Sequence, residues 1–68
     1  MKEEELKPYY RNRIKVTFVD GKTMVGFFEG YNSELDNEPD PPSIDLRNDN
    51  KMLYELFLHE IAKVELIK

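Results

Sequence analysis

The chain has no cysteine among its 68 residues, so neither a disulfide nor a Cys-based metal site can form. Bases are also scarce. Ten Lys and Arg face fourteen Asp and Glu, a formal net charge of −4. That balance argues against a non-specific DNA binder, which neutralises many phosphates with clustered Lys and Arg. No apolar run exceeds three residues, so no helix here spans a bilayer. The opening Met1-Lys2-Glu3-Glu4-Glu5 is acidic and lacks the apolar stretch of a signal peptide, which makes the cytoplasm the expected location.

What the chain does have is 40% hydrophobic residues, enough for a compact core in one domain near the lower size limit. A core this small leaves apolar surface that self-association would bury. The strongest pattern runs from Arg13 to Tyr31. Ile14, Val16 and Phe18 alternate with Arg13, Lys15 and Thr17, as in a strand with one buried face. Asp20-Gly21 suits a tight turn, because Gly tolerates positive φ. The return strand, Lys22 to Tyr31, places Met24, Gly26, Phe28 and Gly30 on one face and Val25 and Phe27 on the other.

Residues 2–11 read as a short helix, with Leu6, Tyr9 and Tyr10 on one stripe and Pro8 as an obstacle inside it. Asn32 to Pro42 carries Pro39, Pro41 and Pro42 and reads as a long, stiff loop. Ser43–Arg47 forms a third strand with Ile44 and Leu46 inward, and Asn48-Asp49-Asn50 a turn. Met52–Leu58 and Ile61–Ile67 complete five strands, with His59-Glu60 as a break and Val64 and Leu66 on one side. A helix over 1–12 followed by strands over 13–68 implies an all-β, five-stranded antiparallel barrel, the glycines bending its longest strand.

The motif Val16-x-Phe18-x-Asp20-Gly21-Lys22-x-Met24-x-Gly26-x-Phe28-x-Gly30-Tyr31-Asn32 resembles the first motif of Sm-like proteins. Phe57-Leu58-His59-Glu60-Ile61-Ala62-Lys63-Val64 is similar to the second motif of their bacterial host-factor branch. The resemblance covers most of residues 9–67 and implies an Sm-like or SH3-like barrel. It further implies a homo-oligomer, in ring form, pairing the edge of strand four with strand five of a neighbour, and binding of single-stranded RNA. The residues it assigns to RNA or partner contact are Tyr31, Asn32, Asp36 and His59.

Other residues carry two readings each. Asn32 stands where the family has Asp, and Leu58 where the host-factor branch has lysine. The loop carries Glu34, Asp36, Glu38 and Asp40 with no base between them, which repels phosphates. The rival reading is therefore a protein–protein interaction module using the acidic Asn32–Pro42 loop. That loop lacks the ligand spacing of a calcium site, so no metal or other cofactor is expected. Tyr9, Tyr10, Phe27 and Tyr31 are candidate stacking platforms, with Phe27 exposed or covered by Leu6, Tyr9 or Tyr10. Lys2, Lys7, Arg11, Arg13 and Lys15 read as a solvated face paired with Glu3 to Glu5. With no Cys–His pair, phosphate loop or Ser-His-Asp arrangement, catalysis is not expected.

Overall fold

A computed structural model describes residues 2–32 and 41–67. The chain forms a short helix α1 (Glu3–Leu6), a 3-10 turn (Lys7–Tyr9) and strands β1 (Arg13–Phe18) and β2 (Thr23–Asn32). Strands β3 (Ser43–Arg47) and β4 (Leu53–Phe57), a 3-10 turn (Leu58–Glu60) and β5 (Ile61–Leu66) follow. The helix is shorter than the sequence suggests. Pro8 falls in the first turn of the 3-10 segment, since its ring and missing N–H cannot continue an α-helix from Leu6. The backbone N–H of Lys2 donates to Glu5 Oε1 at 3.1 Å, closing the helix start. Arg11 then takes a left-handed conformation (φ 65°), and the chain turns into β1.

The hairpin forms where its pattern places it. Gly21 adopts φ 92°, Gly21 N–H donates to Phe18 carbonyl at 2.9 Å, and Asp20 Oδ1 accepts from Lys22 N–H. The second turn is held by Asn48, whose Oδ1 accepts from the N–H groups of Asn50 and Met52, with Lys51 left-handed.

All five strands belong to one antiparallel sheet in the order β4-β3-β2-β1-β5. The two end strands are joined by only Leu58–Glu60. Five strands laid flat at about 4.8 Å spacing would set β4 and β5 roughly 19 Å apart. A three-residue 3-10 turn spans only about 6 Å. The sheet is therefore strongly curled, bringing its two edges to one corner. It is not closed: among the described residues β4 pairs only with β3 and β5 only with β1, so the barrel expected from the sequence has no ladder at its seam.

The concave side encloses the core. Leu6, Ile14, Val16, Phe28, Ile44, Leu46, Leu56, Leu58, Ile61 and Val64 are buried, so α1, all five strands and the second 3-10 turn each contribute. Ile44 and Leu46 point inward as expected. Gly26 is needed for close approach: a Cβ there would meet the Arg47 carbonyl oxygen at 2.6 Å and Leu46 Cγ at 2.9 Å.

Gly30 departs from the expected inner face. Phe28 pairs with Leu46 but Gly30 with Asp45, so Glu29 is an extra residue bulged out of the ladder. The bulge reverses the alternation. Tyr31, opposite Ile44, packs on the core, while Gly30 and Asn32 lie on the outer face with Asp45 and Ser43. A second irregularity between Thr17 and Phe18 lets Ile61 and Val64 both face inward; Leu66 shares their side but is exposed.

Candidate functional site

Two places on this frame gather side chains capable of recognition. The first is the outer corner where β2 ends and β3 begins. Asn32 lies opposite Ser43, and Ser43 opposite Phe57, so the three share one face across adjacent strands. Asn32 Nδ2 donates to Ser43 Oγ at 3.0 Å and to Asp45 Oδ1 at 3.3 Å. The fully buried Ser43 hydroxyl donates in turn to Glu55 Oε2 at 2.7 Å. Beyond it, the Phe57 ring stacks on the His59 imidazole, with centroids 5.9 Å apart and planes 22° from parallel.

This corner can accept more than it can donate. Both amide hydrogens of Asn32 are spent on neighbours, leaving Oδ1 as its acceptor. Asp45 and Glu55 sit directly opposite each other as like charges. A phosphate would be repelled here, whereas a base edge or a peptide N–H group would find acceptors and a flat aromatic surface.

Of the residues expected from the sequence, Asn32 and His59 lie along this one face with Ser43 and Phe57 between them. Sequence reasoning singled out neither Ser43 nor Phe57. Phe57 ends β4 and His59 sits in the 3-10 turn that follows, so strand alternation gives no signal for their stacking. Tyr31 does not join them, because the bulge turns its ring to the opposite face. Asp36, with the acidic loop, lies outside the described residues.

The second place is beneath the N-terminal segment. Lys7, Tyr10, Phe28 and Tyr31 line a half-open cavity of about 190 Å³ whose walls are almost wholly apolar. The Tyr10 and Phe28 rings meet edge to face, centroids 5.5 Å apart and planes at 89°. The Tyr31 hydroxyl is buried and no hydrogen bond of ordinary geometry reaches it. Burial, and then the nearby Glu3 carboxylate, push its pKa well above the ordinary 10.0.

Phe27 is half-buried and outside the core cluster. The Arg11 guanidinium lies over its ring at 5.3 Å, and Arg13 and Arg47 are its partners on β1 and β3. The cations do not pair as expected either. Arg13 makes a two-pronged bridge to Asp49 (2.9 and 3.0 Å), not to the acids of α1, because β1 carries it toward the β3–β4 turn. Arg47 forks onto Glu29, the bulged residue. Among the described residues no three His, Asp or Glu side chains gather as metal ligands, and no helix is long and apolar enough to cross a membrane. Comparison of the chain with protein-family models, with curated proteins and with solved structures finds no match.

Proposed function

We propose that the chain is a non-catalytic binding module of Sm-like type, a small β-barrel that assembles into a homo-oligomer by joining β4 of one copy to β5 of the next. The supporting observation is where apolar surface remains. Apart from Tyr10 and Val19, the exposed large apolar side chains are Met52, Leu53, Tyr54 and Leu66, all on or beside the two strands that lack an outer neighbour among the described residues. An unpaired strand edge with apolar side chains is a template for another strand. A ring closes such edges without leaving a free one. Light scattering tests this. A mass several times 8.1 kDa is the expected outcome, and a monomer at high micromolar concentration overturns it.

The ligand that this reading favours is single-stranded RNA, held by base stacking on Phe57 and His59 and by acceptance of a base N–H at Asn32. Uridine-rich RNA titrated at two salt concentrations, against wild type and His59→Ala, is the test. Binding that weakens several-fold in the variant supports it; no binding at low salt removes it. A protein partner is the second reading, favoured by the facing Asp45 and Glu55 carboxylates beside Asn32. It predicts that RNA fails to bind while the assembly persists.

A further inference from the structure

The cavity under the N-terminal segment lies on the inner side of β2, away from the Asn32–His59 corner. We propose that it is a cage for a methylated ammonium group, held by Tyr10, Phe28 and Tyr31. Aromatic faces attract a cation within about 6 Å of the ring centroid, most strongly where water is excluded. Tyr10, Phe28 and Tyr31 all line the cavity, with the Tyr10 and Phe28 rings perpendicular to each other. A fully methylated ammonium has no N–H to satisfy, so walls without hydrogen-bonding groups suit it. The same walls strand any ligand that needs several donors or acceptors.

Size agrees with this occupant. An apolar cavity of about 150 Å³ holds a benzene-sized guest. About 190 Å³, open on one side, takes a trimethylammonium head with its methylene stem leading out. The segment that roofs the cavity carries Glu3, Glu4 and Glu5 against Lys2, Lys7 and Arg11, so it is neutral in sum and the carboxylate that bears on the site is Glu3. Glu3 is close enough to act on the Tyr31 phenol. Lys7 lines the almost wholly apolar wall with its stem, as long cationic side chains do, and its ammonium head opposes a cationic guest. The chemistry does not depend on RNA binding or on assembly, so failure of either leaves it intact, and the reverse holds.

Tetramethylammonium, followed by NMR of the ring protons of Tyr10, Phe28 and Tyr31, is the direct probe, with neutral 3,3-dimethyl-1-butanol as the shape control. Saturable shifts at millimolar tetramethylammonium, with the neutral probe weaker by about tenfold, are expected. Tyr10 is half-exposed, so Tyr10→Ala should leave the fold intact and weaken binding by about tenfold, with Tyr10→Phe restoring it. Glu3→Gln should weaken binding and Lys7→Gln strengthen it. Choline and a peptide carrying trimethyllysine distinguish a free small molecule from a modified protein by which binds more tightly. Equal binding of the neutral probe, no effect of Tyr10→Ala, or no saturable shift overturns the proposal.

Discussion

Tyr31 shows how one side chain can serve packing and charge at once. Its ring packs on the core and lines the cavity beneath the N-terminal segment, while its hydroxyl is buried and, among the described residues, has only the Glu3 carboxylate near it. A buried, unpaired polar group costs about 1–3 kcal/mol, so Tyr31→Phe should leave stability unchanged or raise it by about 1 kcal/mol in urea denaturation. The same residue fixes an alkaline limit. In the unfolded chain the phenol ionises near 10.0, but the folded state keeps it neutral to higher pH. The unfolded chain therefore loses its proton first. The Tyr31 contribution is constant below about pH 10 and is lost as pH rises further, so Tyr31→Phe should make the alkaline fall shallower. Glu29 has the opposite sign. The hydrogen bonds from Arg47 hold its carboxyl below the ordinary 4.5, so its contribution is present above that pH and is lost as pH falls further. Glu29→Gln should flatten the acid limb of a stability–pH curve. Gly26→Ala is the severe case: its Cβ meets backbone at 2.6 Å, and overpacking of this kind costs about 1–3 kcal/mol.

Among the elements, the α1 segment hangs on one residue. Leu6 is fully buried and the only side chain of α1 in the core. Leu6→Ala should destabilise by about 2–5 kcal/mol and release the segment, read as lost protection of Arg11 N–H, which donates to the Phe28 carbonyl. The β1–β2 hairpin was legible because alternation and Asp-Gly chemistry are local signals that tertiary contacts did not override. The turn at Asn48 was legible for the same reason. The extent of α1 was not, since a leucine–tyrosine stripe looks the same whether or not Pro8 ends the α-helix within it. Nor was the side of Tyr31: an unpaired Glu29 reads in sequence as an ordinary strand residue, and only the partner strand reveals the slip. That slip is also why Asn32 shares a face with Ser43 and Phe57 while Tyr31 does not.

The whole molecule is a curled sheet whose two unpaired edges meet at the Leu58–Glu60 turn. If copies join as proposed, Leu53→Lys on the β4 edge should lower the mass seen by light scattering while leaving the monomer folded, because Leu53 is half-exposed and outside the core. The bulge at Glu29 could be removed without turning either face. Deleting that one residue would leave Phe28 and Gly30 adjacent, opposite the adjacent Leu46 and Asp45, so the ladder would become regular while Tyr31 stayed inside and Asn32 outside. What the bulge adds is the Glu29 carboxylate itself, held out of the ladder where the Arg47 fork reaches it. Shortening the strand there would cost that ion pair and the local twist, and would spare core, outer corner and aromatic cavity alike.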